Sequence, residues 1–229
     1  MKYKAVIFDL FGTLIDNFSA EEYFGVLREM ASVLSAPEEE FTNLWLGTFD
    51  ERATGLIKSL GANIDHVCQK LNLLVDDRQV ELAAQIRFDF ETRSVIPRPD
   101  AIKVLSCLKS AGYKTGLVTD CSSELTTMWE ETPLAPLIDV PVFSCVAGIK
   151  KPDPRIYLLA TEQLGVQPEE CLYVGDGSSQ ELSGAASVGM SPVLIRVPSD
   201  ESIHYYRIDA EDWDGPSVSS LSEVLKLVK

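Results

Sequence analysis

The sequence predicts an α/β fold, a parallel sheet flanked by helices and interrupted after its first strand by an all-helical insertion. Three observations lead there. Lys4–Phe8 is a short, nearly all-apolar run, the pattern of a strand buried on both faces of a parallel sheet. The next comparable run, YKTGLVT at 113–119, follows only after residues 20–93, which are rich in Glu, Leu, Ala and Arg at helical spacing. From Pro97 onward, apolar strand-like runs alternate with helical ones.

Within the insertion, Phe24, Leu27 and Ala31 share one helical face, as do Leu82, Ile86 and Phe90. Pro37, Gly61-Ala62-Asn63 and Asp76-Asp77 are the expected breaks between helices. Beyond Pro97, a helix over 100–110 leads into the strand at 114–119, and a helix over 122–131 follows. A strand at 141–144 precedes a helix over 153–164; the strand CLYVG (171–175), a helix over 180–188 and the strand PVLIR (192–196) continue the run. Segment 199–215 is acidic and aromatic without a period, and a last helix covers 219–228. The expected division is a core of residues 1–16 and 96–229 and a helical unit of 17–95.

The composition narrows the function. With 20 basic against 35 acidic residues the net charge is -15, which argues against gripping a nucleic-acid backbone or an anionic membrane surface. Small anionic substrates need a local cluster of lysine, amides or metal to offset that field. The five cysteines (68, 107, 121, 145 and 171) are odd in number and form no CxxC pair, which fits a reduced, cytoplasmic chain without obligatory disulfides. The N-terminal apolar run stops at Asp9, too early for a signal peptide, and no window approaches the roughly 18 apolar residues of a membrane span. The sequon at Asn17 then carries no meaning, and His66 and His204, far from any acid or cysteine cluster, read as structural or surface residues. A monomer or a homodimer is expected.

In an open α/β sheet, ligands bind outside the carboxyl ends of the strands. Four polar groups fall there: Asp9 after the first strand, TDCSS (119–123) after the second, Lys150-Lys151 after the third and GDGSSQE (175–181) after the fourth. Any one alone reads as a helix cap; their joint placement does not. Together they suit metal-assisted attack on an electrophile. Asp9 and Asp176 offer hard oxygen ligands to one Mg²⁺, and the free Asp9 oxygen is a nucleophile. Thr119 and the amides after it can hold substrate oxygens, and Lys151 can neutralise nucleophile and developing charge.

This constellation resembles the haloacid dehalogenase-like hydrolase superfamily along the whole chain. Its four signatures occur in order as FDLFGTL (8–14), GLVTDCS (116–122), GIKKPDPRIY (148–157) and VGDGSSQELSGAASVGM (174–190). The resemblance implies a Rossmann-like core, a cap of four or five helices, and a Mg²⁺ cofactor. It implies Asp9 as nucleophile, Thr119 as the phosphate-gripping hydroxyl, Lys151 as the family lysine, Asp176 as metal ligand and Glu181 at the second acidic position. Gly12 lets the loop after Asp9 turn tightly, and Thr13 beside it can bond the nucleophile's carboxylate.

Three departures bear on the chemistry. Phosphatases of the family read Asp-x-Asp in the first signature, where the second Asp protonates the leaving alcohol; here that residue is Phe11. The metal loses less, because that position ligates through its main-chain carbonyl. Missing a general acid/base costs about 10²–10⁴-fold in rate. Glu181 replaces the usual Asp and reaches a metal through water. Asp120, where Asn is frequent, sets another carboxylate beside the substrate position.

The expected activity is therefore Mg²⁺-dependent hydrolysis of a small phosphorylated metabolite through an aspartyl-phosphate on Asp9. One alternative is a metal-independent 2-haloacid dehalogenase, whose relatives carry an aromatic at the Phe11 position and a cap arginine, for which Arg28 and Arg52 are candidates. The other is a catalytically weak binding or regulatory protein of the same fold. Phosphonate hydrolysis would need a cap lysine, Lys58 or Lys70. Cys121 reads as a packing residue that could also be an oxidisable thiol, and Trp45 and Phe49 as cap core or pocket wall.

Overall fold

The computed structural model describes residues 2–197, 210 and 212–228. Four buried residues, Ala5–Phe8, form β1 in the middle of a six-stranded parallel sheet of order β3-β2-β1-β4-β5-β6. Its other strands are β2 (Lys114–Thr119), β3 (Val140–Phe143), β4 (Cys171–Gly175), β5 (Ser191–Ile195) and β6 (Ser217–Val218). β1 pairs with β2 in the register Phe8↔Leu117 and with β4 in the register Phe8↔Val174. Strand order reverses at β1, so the crevice of a doubly wound sheet opens where Asp9 follows Phe8.

Alternation along the strands feeds two cores. Val6, Phe8, Leu172 and Val174 face one, shared with α6 (Ala101–Ser110), α7 (Ser123–Met128) and the C-terminal helix α11 (Leu221–Leu227). Ala5, Ile7, Cys171 and Tyr173 face the other, shared with α9 (Pro154–Leu164) and α10 (Glu181–Ser187). A short helix α8 (Ser144–Ala147) follows β3.

Between β1 and α6 lie α1 (Ala20–Val33), α2 (Glu38–Gly47), α3 (Phe49–Ala53), α4 (Leu60–Lys70) and α5 (Asp77–Ser94). They enclose their own core of Leu27, Met30, Phe41, Trp45, Ile64, Val67 and Phe90. The chain enters and leaves this insert side by side. Ile15 and Pro97 form an antiparallel bridge, the Arg98 amide donates to Leu14 O at 2.8 Å, and Arg98 Nη2 donates to Gly12 O at 3.0 Å. Arg98 also pairs with Asp16 at 2.7 Å.

The expected breaks at Pro37 and Asp76 hold: both precede helix starts, and Asp76 forms a capping box with Gln79. The break expected at Gly61-Ala62-Asn63 does not, because these residues form the first turn of α4, capped by Ser59 accepting from the Ala62 amide. The expected face Leu82–Ile86–Phe90 is also displaced. α5 buries Ala83, Arg87, Phe90 and Glu91, leaving Leu82 half-exposed, because two charged residues in mutual contact occupy the inward stripe. Phe24 is likewise partly exposed. The helix expected over 122–131 ends as a 3₁₀ turn at Trp129–Glu131. β6 has two residues, too few for a periodic signal. Most of segment 199–215, with His204, lies outside the described residues.

Candidate active site

The carboxyl ends of β1, β2 and β4 converge with the segment after α8. Asp9 follows β1 directly, its amide donating to Val174 O at 2.9 Å. Lys151, between α8 and α9, donates from Nζ to Asp9 Oδ1 at 2.6 Å and to Glu181 Oε2 at 2.7 Å. Asp9, Lys151, Asp176 and Glu181 are all at most 3% exposed. Oxygens of Asp9, Asp176 and Glu181 lie within 4.8 Å of one another.

Glu181 accepts from three protein donors. Its Oε2 also accepts from the Tyr173 hydroxyl at 2.9 Å, and its Oε1 accepts from the Gly177 amide at 2.9 Å. Asp176 Oδ1 accepts from the Ser178 amide at 3.0 Å and Oδ2 from Asn17 Nδ2 at 3.1 Å. Gly12 adopts φ +81°, and a Cβ there would lie 2.2 Å from Asp176 Oδ2. Only glycine lets the loop after Asp9 lie against this carboxylate.

Electrostatics follow from burial. Desolvation raises the Asp9 carboxyl, Lys151 opposes the rise and Asp176 adds to it, leaving it at about 6. Burial likewise pushes Glu181 up, with Asp9 adding and Lys151 opposing. Burial works against the Lys151 ammonium, yet Asp9 and Glu181 outweigh it and raise its pKa, so it stays charged. Among the described residues, Lys151 bridges two of these three carboxyl groups, Asp9 and Glu181. The set fits a hard divalent cation: it is all oxygen, and Asp9 Oδ2 is buried without a hydrogen-bond partner among the described residues.

Other expected residues are buried nearby in sequence or line the cavity. Thr119 Oγ1 and Thr13 Oγ1 are buried and without hydrogen-bond partners among the described residues, so the Thr13–Asp9 bond is not formed here. Asp120 lines the cavity, its Oδ1 accepting from the Lys151 amide at 3.0 Å and its Oδ2 buried without a hydrogen-bond partner among the described residues.

Above these groups lies a cavity of about 450 Å³ between sheet edge and insert. Phe11, Phe18, Tyr23, Phe24 and Phe49 supply much of its wall. Phe11 packs on Phe18 with ring centroids 5.1 Å apart. Trp45 and Phe49 divide the roles expected of them: Trp45 is in the insert's core, Phe49 in the wall. Arg52, expected as one of two cap arginines, is buried at the cavity, bonded through Nη1 to Trp45 O at 2.7 Å and stacked over the Trp45 ring. Arg28 is an exposed partner of Glu38, and neither Lys58 nor Lys70 lines the cavity.

Sequence reasoning missed Asn17, Arg87 and Glu91. Asn17 reads in sequence only as a sequon, although it stands three residues past the first signature. Arg87 and Glu91 form a buried i,i+4 ion pair at 2.6 Å and line the cavity. Their spacing was visible, but on a helix it is the ordinary mark of a solvated face.

A family profile described as haloacid dehalogenase-like hydrolase matches residues 3–189. The chain belongs to that family. It is 30% identical over 202 residues to the glyceraldehyde 3-phosphate phosphatase of Methanopyrus kandleri, covering 84% of each chain. It is 28% identical to (S)-2-haloacid dehalogenase 4A of Burkholderia cepacia, covering 84% of this chain and 82% of that protein. The fold superposes on the crystal structure of a HAD phosphatase from Thermococcus onnurineus with TM-score 0.66, at 25% identity, covering 98% and 97% of the two chains. This member of the family is a hydrolase. No helix among its described residues is long and apolar enough to cross a membrane.

Proposed function

We propose that this chain is a Mg²⁺-dependent phosphatase-type hydrolase that transfers the phosphoryl group of a small metabolite to Asp9 and then to water. The observation that carries this reading is the buried all-oxygen cluster of Asp9, Asp176 and Glu181, whose ligand atoms lie within 4.8 Å of one another. A metal-independent nucleophile gains nothing from Asp176 beside it, since two carboxylates without a cation repel. Similarity to phosphatases such as that of Methanopyrus kandleri supports a small phosphorylated substrate.

Lys151 bonds Asp9 Oδ1, and the Asp9 carboxylate supplies the oxygen that attacks phosphorus. The Asp9–phosphoryl bond forms as the ester P–O bond breaks. Thr119 Oγ1 and the amides after it receive the non-bridging oxygens, and Lys151 keeps the nucleophile ionised. Glu181 fixes that lysine while Tyr173 fixes Glu181. Water then attacks phosphorus, phosphate departs, and the Asp9 carboxylate returns. Asp9, Asp176 and the Phe11 main-chain carbonyl would hold Mg²⁺, with Glu181 reaching it through water. When bound, the ion neutralises phosphoryl charge and draws the anionic substrate to the anionic nucleophile. Phe11 offers no proton, so the leaving oxygen takes its proton from solvent, and esters with acidic leaving groups react fastest.

The Phe11 ring in the cavity wall favours a second reading, 2-haloacid dehalogenation, in which halide leaves without a proton. One screen with and without Mg²⁺ separates the readings, using an activated aryl phosphate, natural phosphomonoesters and 2-chloropropionate. Metal-dependent phosphate release that Asp9→Asn abolishes supports phosphatase chemistry. Metal-independent chloride release moves the assignment to dehalogenation. Silence on all substrates by a protein whose melting temperature still rises with Mg²⁺ points to a binding role.

A further inference from the structure

We propose that Cys121 and Cys145 form a reversible disulfide that displaces the loop after β2 and suppresses turnover. The two residues stand at equivalent places on neighbouring strands. Thr119 and Phe143 are register partners at the ends of β2 and β3, and each cysteine lies two residues beyond. Their sulfurs are 3.9 Å apart and both are free thiols. The backbone already joins the two turns, because the Cys121 amide donates to Ser144 Oγ at 3.0 Å.

The pair differs in access. Cys121 is buried and lines the catalytic cavity, whereas Cys145 is partly exposed. The thiol contact lowers the Cys145 pKa, and burial, with that same contact, raises that of Cys121. Cys145 is thus the sulfur that meets an oxidant first. The oxidant required is a peroxide. The Cys145 thiolate attacks a peroxide oxygen, the O–O bond breaks, and a sulfenic acid and hydroxide result. Cys121 sulfur then attacks the sulfenic sulfur, the S–O bond breaks, and hydroxide leaves with the Cys121 proton as water. Two thiols are oxidised, and one peroxide is reduced, to two waters when it is hydrogen peroxide.

The bond length of a disulfide requires the sulfurs to approach by roughly 2 Å. Cys121 follows Asp120, whose carboxylate accepts from the amide of Lys151, so movement there reaches the lysine that holds Asp9. Cys145 is also packed under the insert: a Cβ on Gly55 would sit 2.2 Å from its carbonyl oxygen. Misplacement on this scale lowers rates by about tenfold to a hundredfold.

The test uses the full chain carrying Cys107→Ser, which removes the exposed thiol. Hydrogen peroxide should produce a species lighter by two hydrogens in which the peptides containing Cys121 and Cys145 are joined. The kcat/KM for an activated aryl phosphate should fall at least about tenfold in step with it, and dithiothreitol should reverse both. Cys145→Ser should show neither change; Cys121→Ser, if folded, should stop at the sulfenic acid. Absence of the joined peptide overturns the proposal, as does joining without loss of activity or equal inactivation of Cys145→Ser. If the reduced enzyme hydrolyses no phosphate ester, the hydrolase reading fails separately and the mass shift alone decides the modification.

Discussion

Lys151 Nζ lies 2.6 Å from Asp9 Oδ1 although 142 residues separate the two in sequence. The contact is fully buried, so its loss has a structural as well as a chemical price. Lys151→Ala leaves Asp9 and Glu181 without their counter-charge, which costs about 3–5 kcal/mol. Chemical denaturation of the purified variant measures this. Adding Glu181→Gln to Lys151→Ala should recover part of the loss, because the two side chains act as one unit. Strictly additive losses would refute the coupling.

Restoring a carboxylate at the odd position tests the proton account. Phe11→Asp should raise kcat for alkyl phosphate esters by about a hundredfold while changing aryl phosphate turnover much less. The variant also loses the Phe11–Phe18 ring contact, worth about 1 kcal/mol. An unchanged ratio of alkyl to aryl turnover in a folded Phe11→Asp protein would count against phosphatase chemistry.

Gly12→Ala sets backbone strain and a steric clash on one residue. Its φ of +81° disfavours any Cβ, and that Cβ would meet Asp176 Oδ2 at 2.2 Å. Stability should fall by more than about 1 kcal/mol. The rise in melting temperature on adding Mg²⁺, expected for the parent chain from ligand linkage, should shrink with it. Differential scanning fluorimetry with and without EDTA reads both.

Acid should remove a contact remote from the site. Burial works to raise the Asp139 carboxyl, but the Lys109 bridge and the bonds from Thr115 outweigh it and hold it below 3.8. Asp139 Oδ2 accepts from the Thr115 amide at 2.8 Å, tying the start of β3 to β2. A depressed folded pKa means the stabilisation is complete above about pH 4 and fades as pH drops through the folded value. Asp139→Asn should therefore cost about 1 kcal/mol at pH 7 and much less near pH 3. A pH-independent difference in denaturation midpoint would contradict this.

The strands were legible because parallel-sheet strands are apolar on both faces, and runs such as Lys4–Phe8 and CLYVG admit little else. The residues after them follow from the fold, which is why the sequence already places Asp9, Lys151 and Asp176 at one sheet edge, where the structure brings them together. The insert was harder to read. Arg52, Arg87 and Glu91 carry the residue types of a solvated helix, and only packing turns them inward, α3 against α2 and α8 for Arg52 and α5 against α1 and α7 for Arg87 and Glu91. Helical period alone gives a face and not its neighbour, hence the shifted stripe on α5.

The paired entry and exit of the insert has a mechanical consequence. Arg98 grips Gly12, Leu14 and Asp16 at once, so the outgoing and returning chains form one short strap rooted in the loop after Asp9. The helices above and the aim of Asp9 below therefore turn on a shared pivot. Any tilt of the insert would be felt at the loop that carries Asp9.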